Sequence, residues 1–335
     1  MTAPAILGLS GPTLTESERA FFSDVAPLGF ILFARNCETP AQVKALCDDL
    51  RALTGRRDTP ILIDQEGGRV ARLQAPHWRH PPPAKPFGDL WSGDPDAACR
   101  AATLNGQLIG AELLASGLNV DCAPVLDVPV PGSHDIIGDR AFHSDPAAIA
   151  ALGRSFADGL IAAGVLPVVK HIPGHGRARA DSHAELPVVE ASAKDLEQDF
   201  APFHALRDFP LAMTAHVLYS ALDPSHPATT SKSIIDEVIR GKIGFEGLLM
   251  SDDISSNMKA LVGDYATRTR DSISAGCDVV LHCDGDLSAM EEVGAALPPL
   301  SDQAAIRWAR ASFLIVEPQA VDIKAAQAEL AALLD

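Results

Sequence analysis

The chain has 335 residues, 47% hydrophobic and 21% charged, an ordinary globular composition that excludes a disordered, collagenous or coiled-coil chain. Lys and Arg total 27 against 44 Asp and Glu, and the net charge of −17 repels phosphate backbones, so no nucleic-acid partner is expected. No apolar run reaches the roughly 18 residues of a membrane helix, and the start, MTAPAILGLSGPTL, lacks the basic region of a signal peptide, so a cytoplasmic protein with no membrane partner is expected.

Residues 5–9 (AILGL) read as a first strand. Thr15 and Ser17, with Glu18 next, open a helix towards Val25, and 29–33 (GFILF) is a second strand. Thr39 before Pro40 is an N-cap with proline at the first helical position, and that helix runs to about residue 53. Residues 60–63 (PILI) form a third strand, the proline-rich stretch 74–94 an ordered loop, and a long helix from about 95 to 116 leads to a fourth strand at 119–123. Asp145-Pro146 caps a helix ending at Gly164. Strands at 166–169, 211–214, 248–250 and 279–281 follow, separated by helices near 193–207, 231–240 and 264–275. Helices are expected over about 301–335, the Ala- and Leu-rich tail at 319–334 packing on the outside. Six cysteines form no CxxC and several fall within apolar patterns, as buried reduced thiols would.

Eight continuous apolar strands, most followed by a helix, indicate burial on both faces and predict a single (β/α)₈ TIM-type barrel with extra C-terminal helix. One domain over residues 1–335, with its barrel core at about 5–290, accommodates all of these elements. An open doubly wound sheet is the alternative, but Ser10-Gly11-Pro12-Thr13 after the first strand is not a dinucleotide fingerprint.

In such a barrel chemistry sits at the C-terminal strand ends. There the sequence places Asp64, Lys170-His171, His216, Asp252-Asp253 and His282, five strands delivering polar groups to one rim. Residues 170–183 (KHIPGHGRARADSH) are the densest polar stretch. Pro173 and Gly174 forbid a regular helix, so His171 and His175 are not an i, i+4 metal pair. Asp181 stands two residues before His183, a spacing that lets a carboxylate hold an imidazole towards a reactant, although a loop histidine with a local hydrogen bond gives the same pattern. Asp252 follows an apolar strand directly, a rigid position suited to a nucleophile or base, while Asp253 is expected to cap the next turn.

The segments IDQEGGRVARL, KHIPGHGRARADSH and SDDIS together resemble glycoside hydrolase family 3, and within it the single-domain bacterial β-N-acetylhexosaminidases, over roughly residues 5–290. The resemblance implies a retaining exo-β-N-acetylglucosaminidase that removes terminal N-acetylglucosamine from peptidoglycan fragments (GlcNAc-1,6-anhydroMurNAc peptides) in cell-wall recycling. It implies Asp252 as nucleophile, His183 as general acid/base and Asp181 as the residue that orients His183. It implies Asp64, Arg72, Arg140, Lys170 and His171 as the groups that hold the sugar. Three positions depart from the family pattern: Ala141 stands for a serine, Ile172 for a phenylalanine as a packing change, and the segment after Asp252 is longer than usual. Arg177 and Arg179 are either positive charges for the lactyl carboxylate of such fragments or solvated loop charges. Glu66 is either a second catalytic carboxylate or a brace paired with a neighbouring arginine. A small sugar substrate, no cofactor or metal, and a monomer are expected. Another family 3 glycosidase such as a β-glucosidase, a Schiff-base enzyme using Lys170, and a non-catalytic sugar-binding barrel are the alternatives.

Overall fold

The computed structural model describes residues 2–182, 185–256 and 258–335. Eight strands close into a parallel barrel: β1 (Ala3–Leu7), β2 (Pro27–Leu32), β3 (Ile61–Ile63), β4 (Val120–Asp121), β5 (Leu166–Ile172), β6 (Leu211–Thr214), β7 (Leu248–Asp253) and β8 (Val279–His282). Each strand pairs with its neighbours in sequence, and β8 returns to β1 with Ile6 opposite Leu281. The helices α1 (Glu16–Val25), α2 (Pro40–Thr54), α3 (Lys85–Trp91), α4 (Pro95–Ala115), α5 (Pro146–Ala162), α6 (Glu197–Ala205), α7 (Tyr265–Ala275), α8 (Leu287–Ala296), α9 (Asp302–Ser312) and α10 (Ile323–Leu334) accompany it.

The apolar runs are continuous because alternate residues serve two cores. Ile6, Leu62 and Val168 fill the barrel with Met250 and Leu281, whereas Leu7, Ile61 and Ile63 face the helices and meet Val43 and Leu104. Helix α9 closes the N-terminal mouth. Trp308 and Ala311 join the barrel's interior cluster, the Trp308 indole donates to Asp58 at 3.2 Å, and the Leu300 N–H donates to the Thr2 carbonyl at 3.1 Å. The opposite mouth stays open.

Several boundaries move, for physical reasons. β5 and β7 run three residues further than their apolar patterns, because Lys170, His171, Ser251, Asp252 and Asp253 remain on the barrel wall while their polar groups find partners at its rim. β4 is short because Pro124 has no N–H; the chain stays beside β5 through Val168 N–H to Ala123 O at 3.0 Å and Leu126 N–H to Lys170 O at 2.7 Å. The stretch expected to be all loop at 74–94 contains α3. The helix expected near 231–240 is a wider π-helix over Ile234–Lys242. Helix α8 adds to the elements expected from the sequence; Asp286 caps it, accepting from Ser288 N–H at 2.9 Å.

A short antiparallel ribbon, Gln65–Gly67 with Val70–Ala71, folds over the open mouth. Its turn needs glycine: Gly67 has φ 107°, and a Cβ there would lie 2.1 Å from the Pro82 carbonyl oxygen. Among the described residues no helix is long and apolar enough to cross a membrane.

Candidate active site

At the C-terminal mouth lies a cavity of about 540 Å³, bordered by Asp64, Glu66, Arg72, Arg140, Lys170, His171, His175 and Asp252 among others. That volume suits a small ligand such as a sugar. Its floor is a chain of alternating charges. Arg72 donates to one oxygen of Asp64 at 2.9 Å, and Lys170 Nζ donates to the other at 2.9 Å. Lys170 also lies 2.6 Å from Glu66 Oε1, and Arg140 grips both Glu66 oxygens at 2.8 Å. Three cations and two anions leave this group with one net positive charge, a local exception in an acidic protein.

Burial alone would raise the carboxyls of Asp64 and Glu66. The cations outweigh it, Lys170 and Arg72 for Asp64 and Arg140 and Lys170 for Glu66, so both stay ionised well below the usual range. Burial likewise works against the Lys170 ammonium, and Asp64 and Glu66 overcome it and hold the amine charged. Glu66 is therefore the brace, not a proton donor.

Beneath this floor Asp121 is fully buried, with Oδ1 accepting from Gln65 N–H at 3.0 Å and no hydrogen bond to Oδ2 among the described residues. Burial pushes its carboxyl up to about 8. Between its ordinary value and 8 the folded protein holds a proton that the unfolded chain has released, so this group's contribution to stability falls as pH rises through that window. Asp121→Asn keeps the acceptor for Gln65 and cannot ionise. Its urea midpoint should gain on that of the wild type between pH 5 and pH 8, and parallel midpoints would show that Asp121 is already charged.

A second buried carboxylate, absent from the sequence-based candidates, is Asp127. Oδ2 meets His171 Nδ1 at 2.7 Å, and Oδ1 accepts from the N–H groups of His171 at 3.3 Å and His175 at 2.6 Å. It fixes the His171 ring at the cavity wall and ties down the start of the 171–183 loop. Its signal was one acid inside the apolar run APVLDVPV after the fourth strand. Burial pushes the His175 imidazole down to about 4, so that ring is neutral.

Asp252 lines the cavity from β7. Its Oδ1 accepts from the Asp253 N–H at 2.8 Å, and among the described residues Oδ2 carries no protein hydrogen bond. Burial raises its carboxyl, and its surroundings, with the Asp253 N–H donating and the Lys170 ammonium nearby, hold it below its ordinary value. Asp253 caps the next turn as expected, accepting from Ser255 N–H at 3.0 Å, Ser255 Oγ at 2.6 Å and Cys283 N–H at 3.0 Å.

Two strand-end histidines do not reach the cavity. His216 and His282 are fully buried behind its wall, His282 with its ring 5.4 Å from Tyr265. Arg177 is also turned away: its Nε bonds Asp199 at 2.6 Å and an Nη bonds the Asp195 carbonyl at 3.1 Å. Arg179 is exposed and does not border the cavity. Ile172 is buried in the main core, a packing position, and Ala141 sits in a small apolar cluster with Val125 and Ile137. Asp181 is half-buried in its loop, and His183 lies outside the described residues. The segment after Asp252 is gathered by Arg268, which donates to the carbonyls of Ser255 at 2.6 Å and Leu261 at 2.7 Å, and it meets the other loop where Ala260 N–H donates to Ser182 O at 3.1 Å.

Residues 11–309 match the Glycosyl hydrolase family 3 N terminal domain. A β-hexosaminidase of Bordetella avium is 40% identical over 285 residues, 84% of this chain and 80% of that protein. One from Aromatoleum aromaticum is 39% identical over 322 residues, covering 95% and 89%. The structure of NagZ from Neisseria gonorrhoeae in complex with N-trifluoroacetyl-D-glucosamine superposes with a TM-score of 0.88 at 33% identity, covering 100% of this chain and 98% of that one. With the closed barrel and the charged floor of its open mouth, these likenesses establish that the chain belongs to glycoside hydrolase family 3, within its β-N-acetylhexosaminidase group.

Proposed function

We propose that the chain is a retaining exo-β-N-acetylglucosaminidase, a cytoplasmic monomer of one domain that removes terminal N-acetylglucosamine from peptidoglycan fragments during cell-wall recycling. The observation that carries this reading is the cavity itself: a sugar-sized site floored by Asp64, Arg72, Arg140 and Lys170, with Asp252 at its wall. Asp64 accepts from sugar hydroxyls, and the cations and His171 donate to hydroxyl or acetamido oxygens.

Asp252 Oδ2 attacks the anomeric carbon as the glycosidic C–O bond breaks, while Oδ1 stays held by the Asp253 N–H. The leaving oxygen needs a proton. Asp64 and Glu66 are held ionised by their cations, so neither suits the acid role, and Asp253 has both oxygens engaged by Ser255 and Cys283. The family 3 resemblance supplies the donor: the imidazolium of His183, oriented by Asp181. Water then attacks the glycosyl-Asp252 ester, His183 takes its proton, and two inversions retain the β configuration. Because Arg177 is committed to Asp199, it has no part in holding a lactyl carboxylate.

A panel of aryl β-glycosides tests the activity: turnover of the N-acetylglucosaminide should exceed that of the N-acetylgalactosaminide and the glucoside, and equal turnover of the glucoside would overturn the proposal. GlcNAc-1,6-anhydroMurNAc should likewise be cleaved with higher kcat/KM than chitobiose. His183→Ala should slow substrates with poor leaving groups by roughly 10²–10⁴-fold and activated aryl glycosides far less. Equal losses on both would exclude the acid role.

A further inference from the structure

Behind Asp252, away from the cavity, lie three fully buried polar side chains that the chemistry above does not use: Thr214, His216 and Thr229. They occupy the place where the sheet stops holding β7. The β6–β7 ladder pairs Leu248 with Leu211, Leu249 with Ala212 and Met250 with Met213, and then ends. On the β8 side, Ser251 Oγ accepts from Leu281 N–H at 2.9 Å and Asp253 accepts from Cys283 N–H at 3.0 Å. On the β6 side, the three side chains take over.

Their hydrogen bonds run in one direction. The Asp252 N–H donates to Thr214 Oγ1 at 3.2 Å, Thr214 Oγ1 lies 2.8 Å from Thr229 Oγ1, and Thr229 Oγ1 lies 2.7 Å from His216 Nδ1. His216 Nε2 lies 2.7 Å from the Asp253 carbonyl, which can only accept, so Nε2 carries a proton. Burial keeps the ring neutral, so Nδ1 is bare and, at 2.7 Å, is the nearer acceptor for the Thr229 hydroxyl proton, the Ala215 carbonyl lying at 3.1 Å. Thr229 then accepts from Thr214, and Thr214 from Asp252. The relay starts on the peptide before Asp252 and ends on the carbonyl of the residue after it.

We propose that Thr229 and His216 are positioning residues for the reaction, fixing the backbone on both sides of Asp252 and so the line along which its Oδ2 approaches the anomeric carbon. This rests on the reading of Asp252 as nucleophile. Neither residue borders the cavity, so neither contributes to sugar binding.

The test uses the full chain with Thr229→Val, which keeps the shape and removes the hub, and Thr229→Ser, which keeps the hydroxyl. kcat and KM are measured on an aryl N-acetyl-β-glucosaminide, N-acetylglucosamine binding by calorimetry, and the rate of inactivation by a 5-fluoro-N-acetylglucosaminyl fluoride with peptide mass spectrometry of the label. Thr229→Val should slow both kcat and inactivation by about 10²-fold, the scale of a misplaced reacting group, with the sugar's Kd nearly unchanged. Thr229→Ser should recover most of the loss. His216→Leu should behave as Thr229→Val, and His216→Gln, which keeps a donor for the Asp253 carbonyl, should be the milder, so the test stands if Thr229→Val does not fold. Wild-type rates of inactivation in Thr229→Val and His216→Leu, or a fall in kcat matched by the same loss of sugar binding, would overturn the positioning role. A label away from Asp252 in the wild type would instead overturn the nucleophile on which it rests.

Discussion

Asp252→Asn should lower kcat for an aryl N-acetyl-β-glucosaminide by roughly 10⁴-fold or more, while N-acetylglucosamine still binds. The amide has the same shape and still accepts from the Asp253 N–H through its oxygen, so the hydrogen bond seen at 2.8 Å persists. It has no negative oxygen to form a bond to the anomeric carbon. The charges proposed to hold the sugar, on Asp64, Arg72, Arg140 and Lys170, pair with one another or with Glu66 rather than with Asp252, so binding should survive. Steady-state kinetics beside calorimetric binding of the sugar separates the two effects, and turnover near the wild-type rate would remove Asp252 from the nucleophile role.

Lys170→Met should damage both stability and binding. The ammonium is 2% exposed and sits between Asp64 at 2.9 Å and Glu66 at 2.6 Å. Removing it leaves Asp64 with Arg72 alone and Glu66 with Arg140 alone, so the cost should approach but not reach the roughly 3–5 kcal/mol of leaving a buried charge wholly unpaired. If Lys170 donates to the sugar as proposed, its loss should weaken N-acetylglucosamine binding by roughly 10–100-fold. Adding Glu66→Gln to Lys170→Met removes one of the two buried carboxylates that lost a cation and should recover part of the stability and none of the binding. Urea unfolding of the two single variants and the double variant measures that recovery. No recovery would mean that Glu66 depends on Arg140 alone.

The contrast between these two sites shows what kind of information the sequence carried. Asp252 was legible because an apolar strand and the acid that ends it are contiguous. Lys170 was legible as a strand end, but its partners were not: Asp64 lies 106 positions away, and Glu66 and Arg140 are 74 positions apart. Asp127 was overlooked for the same reason, since its meaning comes from the loop histidines 44 and 48 positions later. The sequence offers Arg177 as a ligand for an anion because its neighbours along the chain bear on the site, and Asp199 on α6 claims it instead.

The eight strands and their barrel closure were determined by the sequence alone, because hydrophobic periodicity is local and each strand buried on both faces advertises itself in a few residues. So was the side of the barrel that carries the polar groups, because parallel strands all end on one rim. Only the tertiary structure decided which of those groups meet. Strand-end His216 and His282 are walled in, whereas Glu66, carried over the mouth by a turn of two glycines, joins the floor. The reason is that charge and hydrogen bonding depend on distances of about 3 Å in space, and no spacing along the chain encodes those distances until the barrel has closed.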